Sequence, residues 1–232
     1  WQETQGRAGV RAVLEPFFLY GPRLTGVDLS QATLAECRLP LADLRYALLV
    51  ETDLRGAELT GIEAYQAGLT RADLSEADLS GAHLVEAIAL EARFARANLT
   101  GASLTRADLR RSDLRGARLV DALLVDARLE GASLDDSDLS GADLSGCRLR
   151  RASLTAACLR GAALVGADLT GACLRGADLG EAQLVNCALE GADLRGARLE
   201  GAIYERRALM GASLDPELRK RLERGVRGAT AW

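Results

Sequence analysis

A leucine, or a stand-in for it, falls at every fifth position from Leu24 to Leu214 without a break in register. The array holds 39 consecutive five-residue units, and 35 of their centres are Leu; the others are Ala64, Ala89, Phe94 and Tyr204. Two residues before most centres stands a small residue, usually Ala, as at Ala72, Ala77, Ala82 and Ala87. A repeat of this kind constrains architecture before local propensity is consulted. An α-helix turns about 100° per residue, so a spacing of five rotates each Leu about 140° from the last and leaves no buried stripe. A long strand fails as well, because its side chains alternate with period two and an odd spacing sends successive leucines to opposite faces.

A very short strand followed by a corner satisfies the pattern. The small residue and the Leu both point inward, and the residue between them points outward. The two residues after Leu turn the chain and reset the phase. Seventeen of the 24 glycines occupy the last position of the unit, as at Gly101, Gly116 and Gly176. A corner with unusual φ or close backbone approach selects Gly there. The chain is therefore expected to wind as an all-β solenoid, its coils stacked about 4.8 Å apart.

Units such as Ala97-Asn98-Leu99-Thr100-Gly101 and Ala192-Asp193-Leu194-Arg195-Gly196 resemble the pentapeptide-repeat family, and the likeness runs over residues 22 to 214. The resemblance implies a right-handed β-helix of square cross-section, with four units per coil. A period of five does not itself set the number of sides. If four units close a coil, residues 20 apart stack directly.

Three segments follow from the register. Residues 1–21 break the pattern and carry Val10-Arg11-Ala12-Val13-Leu14 and Phe17-Phe18-Leu19-Tyr20 around Pro16. An open solenoid end exposes core and strand edges, so this segment is expected to form a short helical or irregular N-terminal cap. Residues 22–214 form the β-helix. Residues 215–232 hold a C-terminal α-helix and tail. Asp215-Pro216-Glu217 is a helix start, with an N-cap acid and Pro in the first turn. The helix is expected to run to about Arg224 and stop at Gly225. Leu218, Leu222 and Val226 make a narrow apolar stripe on it that either covers the last coil or joins two copies. In gyrase-interacting members of the family a C-terminal helix or end region pairs two subunits, so the resemblance implies a homodimer through this helix.

Aromatic residues make up 4% of the chain, too few for an ordinary globular core. A narrow Leu/Ala core needs no large rings, and each buried Leu contributes about 1.5–3 kcal/mol. No apolar run approaches the roughly 18–20 residues of a membrane span, so no membrane partner is expected. The chain starts at Trp1 rather than Met, as expected of a start that was processed, trimmed or cut from a longer chain. Lys220 is the single Lys against 28 Arg, which reads as the codon bias of a GC-rich genome. Cys37, Cys147 and Cys187 sit in the small inward slot, where Cys serves as a small hydrophobe, while Cys158 and Cys173 should point outward. Their separations do not suit disulfide geometry, so five free thiols and a reducing, cytoplasmic compartment are expected.

Chemistry is sparse. His83 is the only His, and no Cys or carboxylate joins it at metal-ligand spacing. There is no phosphate-binding Gly loop between a strand and a helix, and no context for a Ser–His–Asp set. Asp residues just before Leu, such as Asp73, Asp78, Asp138 and Asp143, are read as acceptors of backbone N–H at the turn rather than as calcium ligands. No enzyme activity, metal or cofactor is expected.

Stacking by 20 gives two candidate surfaces. Asp108, Arg128, Arg148 and Asp168 line up on one face beside Arg110, Glu130, Arg150 and Thr170. This concentrates Arg110, Arg111, Arg128, Arg148, Arg150 and Arg151 in one basic zone, read either as an anion patch or as partly neutralised charge ladders. Direct nucleic-acid binding is the less favoured outcome. Another face is apolar, with Tyr65, Val85, Val125, Val165 and Val185 in one outward column and Leu123, Ala163 and Ile203 beside it. Exposed apolar stripes often mark partner surfaces, although Val also suits a flat strand for its own sake. Small Ala89 and large Phe94 adjoin in one coil, where their volumes compensate, and outward Ile88 and Leu90 around Ala89 leave room for a bulge.

Two functions fit. The first is a rigid, non-catalytic scaffold presenting flat walls to a protein partner. The second comes from the resemblance: a DNA mimic that binds DNA gyrase or another type II topoisomerase and protects it from inhibitors. A net charge of −4, a basic zone in mid-rod and centres that are almost all Leu depart from that second pattern.

Overall fold

The computed structural model describes residues 17–223. Val10–Leu14, Pro16, Arg224, Gly225 and Val226 lie outside the described residues, so the N-terminal cap and the end of the C-terminal helix are not seen. Within them the outward residue of each unit pairs in parallel with the residue 20 further on, from Phe18↔Arg38 to Asp193↔Ser213. Twenty residues make four units, so each coil has four walls. We number the walls by their first Leu centres: Leu24, Leu29, Leu34 and Leu39 begin the first to fourth walls.

The backbone bonding repeats with the units. The Leu29 N–H donates to the Leu48 carbonyl at 2.7 Å, and Arg38 N–H donates back to Phe17 at 2.8 Å. Each corner is a four-residue turn, as where Val27 N–H donates to the Leu24 carbonyl at 3.2 Å. Regular strand pairing long enough to name occurs at β1 (Gln183–Leu184) and β2 (Ile203–Tyr204), which are parallel with Gln183 opposite Ile203. Elsewhere one residue of each wall bridges to the next coil. Inside, Leu centres and small residues fill a continuous core, with Leu109, Leu114, Ala117 and Leu119 at 0% exposure. Where a hydroxyl residue takes the small inward slot it donates to a backbone carbonyl: Ser112 Oγ to Leu109 at 2.6 Å, Ser137 Oγ to Leu134 at 2.7 Å and Thr52 Oγ1 to Leu29 of the preceding coil at 2.9 Å.

Every fifth residue from 21 to 201 has φ between +52° and +74°. Seventeen of these are Gly and 20 are not, including Leu41, Tyr46 and Ala156. The corner thus demands the left-handed region at every turn, and a non-glycine residue held there costs roughly 1–2 kcal/mol. The stack carries that strain because the corner N–H groups from Gly21 to Glu181 also bond the next coil, as Gly26 N–H does to Arg45 at 2.8 Å.

The ends depart from the expected bounds. Pairing begins at Phe18, inside the segment assigned to the N-terminal cap. Phe17 packs against the core, and the Arg38 guanidinium lies 5.3 Å from the Phe18 ring centre. At the other end the array yields to a short helix α1 (Arg206–Met210) before its last unit. The reason is Arg207, which stands in the inward slot where a small residue is required; a guanidinium is not buried there, and the chain leaves the coil. Leu209 is nevertheless buried at 0% exposure.

Helix α2 (Pro216–Glu223) follows. The Asp215 carbonyl accepts Arg219 N–H at 3.0 Å while its carboxylate accepts Gly196 N–H at 2.8 Å, and Glu205 accepts Asn186 N–H at 2.9 Å. Both corner N–H groups would have bonded a carbonyl of the next coil; the two acids replace it and close the solenoid edge. Leu218 packs against the core, so this residue of the stripe serves the cap. The side chain of Leu222 is outside what is described. No bulge forms at Ala89: its N–H reaches Asp108 at 2.8 Å, as regular as the Phe94 N–H to Asp113 at 2.7 Å.

Candidate interaction surface

The outward carboxylates behave as turn acceptors. Asp28 accepts Ser30 N–H at 2.9 Å, and Asp143 accepts Ser145 N–H at 2.9 Å. Where Arg follows Leu, the guanidinium also forks onto the same Asp: Arg115 gives Nε to Asp113 at 2.8 Å and Nη2 at 2.5 Å. Hydrogen bonds from Arg115 hold the Asp113 carboxyl below its usual range against the opposing effect of burial. Corner charges pair between coils as well, in a ladder where Arg71 sits 3.5 Å from Glu51 and 3.1 Å from Glu91. Such exposed pairs each contribute about 0–1 kcal/mol and chiefly neutralise the walls.

All five cysteines are free thiols. Cys147 and Cys187 donate to carbonyls of Leu124 and Leu164 at 2.9 and 2.8 Å, and burial pushes both thiols up to about 12. They are core residues without nucleophilic character at neutral pH. Among the described residues no cluster of His, Cys and carboxylates is arranged to hold a metal ion. An open hollow of about 540 Å³ on the third wall is lined by charges such as Asp53, Arg55, Arg71 and Glu91, which are engaged with one another or with neighbours.

The apolar column lies on the first wall. Leu123 and Val165 are exposed, at 48% and 37%, while Val85, Val125, Val185, Ala163 and Ile203 are half-buried. Thr105 and Ser145 fill the two gaps in the Val column, so the wall is sparsely charged rather than continuously apolar. Between the coils of Val85 and Val185 its outward strand positions hold one charge, Asp143, over about 24 Å. Tyr65 is not free within it. Its ring meets Tyr46 edge-on with centres 5.6 Å apart, and its hydroxyl donates to Glu86 at 3.1 Å. That bond raises the Tyr65 pKa, and hydrogen bonds from Gln66 and Tyr65 lower that of Glu86.

A second patch was missed in the sequence. On the second wall Leu48 and Ile88 are exposed, at 46% and 50%, with Gly68 between them. A Cβ on Gly68 would meet Leu48 Cδ2 at 3.4 Å, so the Leu48 side chain leans over the glycine. Val50, Thr70 and Leu90 run beside them, and the patch carries no charge. Stacking the column Leu48–Gly68–Ile88 by 20 is the signal that exposes it. It meets the first wall around the corner that bears Tyr46.

The basic zone follows directly, since Ile88 bridges to Asp108. Arg110 takes both Asp108 oxygens, at 2.7 and 2.6 Å. Burial raises the Asp108 pKa, but the hydrogen bonds of Arg110 outweigh it and the carboxyl is held below its usual range. Arg128 is left 3.6 Å from Asp108 and 3.9 Å from Glu130, with its Nε and Glu130 Oε2 buried and unbonded. Arg150 pairs with Asp168, and Arg111 lies 3.7 Å from Glu91. Arg148 and Arg151 have no ion-pair partner among the described residues. The zone is therefore partly neutralised, with its surplus charge at Arg148 and Arg151.

No helix among the described residues is long and apolar enough to cross a membrane. A family model described as pentapeptide repeats matches the chain over residues 23–61, 67–106, 92–131, 132–171 and 172–203. Among solved structures, HetL, a pentapeptide repeat protein involved in heterocyst differentiation regulation from the cyanobacterium Nostoc sp. strain PCC 7120, is 39% identical, with 84% of this chain and 90% of that one covered and a TM-score of 0.47. A pentapeptide repeat protein from the Arabidopsis thaliana thylakoid lumen is 33% identical, covering 44% and 68%, with a TM-score of 0.34. A trypsin-treated form of QnrB1, a plasmid-mediated fluoroquinolone resistance protein, is 19% identical, covering 91% and 99%, with a TM-score of 0.42. No curated protein sequence matches significantly.

Proposed function

We propose that this chain, which belongs to the pentapeptide-repeat family and has its right-handed β-helix fold, works as a rigid, non-catalytic scaffold for a protein partner. The observation that supports the reading is a pair of charge-poor surfaces meeting at one corner: the first wall from Val85 to Val185, where Asp143 is the one charge, and the uncharged second wall from Leu48 to Leu90. Exposed Leu48, Ile88, Leu123 and Val165 on these surfaces gain from being covered. The compartment in this reading is a reducing cytoplasm. Pairing of two copies through Leu222 and Val226 is compatible with it, since Leu218 is committed to the cap.

The scaffold is preferred to a DNA mimic because of charge. A duplex presents about one negative charge per 1.7 Å of axis. Here 33 acidic residues face 29 basic ones, and many of them pair on the walls. Gyrase-catalysed supercoiling, with the purified protein titrated in and with or without a fluoroquinolone, separates the two readings. The scaffold predicts unchanged supercoiling and unchanged drug sensitivity. Inhibition or drug protection at low micromolar protein, weakened by Asp→Asn changes on one wall, would replace it with the mimic.

A further inference from the structure

We infer that the second wall recognises a segment of a protein partner that is aliphatic at one end and carboxylate-rich at the other. The inference deepens the scaffold reading and rests on it for the apolar half. It starts from the segregation of one wall along the rod. Leu48, Gly68 and Ile88 occupy three successive coils without charge, and the next coils bring Asp108, Arg128 and Arg148 in the same column.

The cationic half is under-satisfied. Arg110 and Arg128 compete for Asp108, and Arg110 holds both oxygens. Arg128 also stacks directly against Arg148 across a parallel bridge, a like-charge contact that is unfavourable without an anion between. Arg148 has no acid of its own, because Asp168 on the following coil is taken by Arg150. Arg151 stands on the adjoining corner between Gly131 and Gly171, and a Cβ on Gly171 would meet its Cγ at 3.6 Å. The small neighbours leave this guanidinium uncovered. Two open guanidinium forks suit two or three carboxylates of a peptide.

Nucleic acid fits less well. The open cations span about 10 Å, and Asp108, Glu130 and Asp168 lie among them, where a run of phosphates would meet repulsion. From Leu48 to Arg148 is five coil steps, about 24 Å, which an extended segment covers with about seven or eight residues.

The test is fluorescence anisotropy with a labelled peptide of about ten residues, half Leu/Val and half Glu, made in both orders, against the same peptides with Lys for Glu and against a short DNA duplex. One order of the Glu peptide should bind, and added salt should weaken it. Arg148→Ala with Arg151→Gly should weaken it about tenfold or more, the scale of a lost pair of charge-assisted contacts. These arginines are exposed and unpaired, and Ala188 and Gly171 occupy equivalent slots, so the fold is retained. Arg118→Ala on the opposite wall should change nothing.

Binding of neither Glu peptide, equal binding of the Lys peptides, an unchanged affinity in the double arginine variant, or tighter binding of the duplex would each overturn the inference. Ile88→Asp separates the two ideas. If it abolishes binding while the arginine variant does not, the scaffold surface stands and the carboxylate recognition fails. If the arginines matter and Ile88 does not, the apolar half of the scaffold reading fails instead.

Discussion

Phe94→Ala should destabilise the protein by about 3–5 kcal/mol, the largest loss expected from truncating one side chain. Phe94 is the bulkiest fully buried residue and sits at 0% exposure. Its column places it between Leu74 and Leu114, because Arg93 bridges to Asp73 and to Asp113. Coils bonded at regular spacing above and below cannot collapse into the void, so the cavity persists. Ala89, the preceding centre in the same coil, is smaller than the usual Leu, and the larger Phe94 fills part of the space this leaves. Ala89→Leu alone should therefore overpack the coil and cost about 1–3 kcal/mol. Combined with Phe94→Leu it should cost less than the sum of the two single changes, with a coupling of roughly 0.5–3 kcal/mol. Denaturant unfolding of the four proteins reads this directly; additive losses would mean that the two centres do not share volume.

Deleting one residue should do more harm than deleting twenty. Removal of residues 101–120 takes out one whole coil and leaves every later residue in phase, with His83 over Leu123 and Ile88 over Arg128. Cooperative melting should survive. Removal of Gly101 alone shifts the phase, so that the inward slots downstream receive Asp108, Asp113 and Arg118 unless a corner is sacrificed. Turning even one of these charges inward without a partner costs on the order of 3–5 kcal/mol. Far-UV circular dichroism with thermal melting distinguishes the two. A single-residue deletion that melts like the parent would contradict the phase-locked stack.

Much of this fold was legible because its rule is local and repeated. A Leu every five residues excludes helix and long strand, and the Ala two residues earlier marks the second inward position. The corner was legible only in part. Glycine flags the left-handed position at Gly81 or Gly101, but Leu41, Tyr46 and Ala156 adopt it too. There the inter-coil hydrogen bonds, not propensity, impose the conformation. The four-sided closure needed the pairing of residue i with i+20, which no five-residue pattern contains. Helix α1 escaped notice because Leu209 kept the register while Arg207 broke the other half of the rule.

On the surface, the Val column follows from the register as one wall, but the letters do not show that Tyr65 is engaged. Its hydroxyl bond to Glu86 joins residues 21 apart and is invisible in a column of apolar letters. The Leu48–Ile88 patch was hidden for the opposite reason: Gly68 interrupts the column as a letter, yet it is the residue over which Leu48 lies. In the basic zone the six arginines were apparent, but which of them compete for Asp108 and which stay open is a matter of side-chain geometry.

Site-specific photo-crosslinking inside the cells that make the protein tests the scaffold most directly. A benzophenone amino acid would replace Leu123, Val165 or Ile88 on the charge-poor surface, and Ser133 or Ser153 on the third wall. The account predicts one discrete protein adduct of the same mass from the first three positions and none from the other two. Adducts from all five positions alike, or from none, would contradict it.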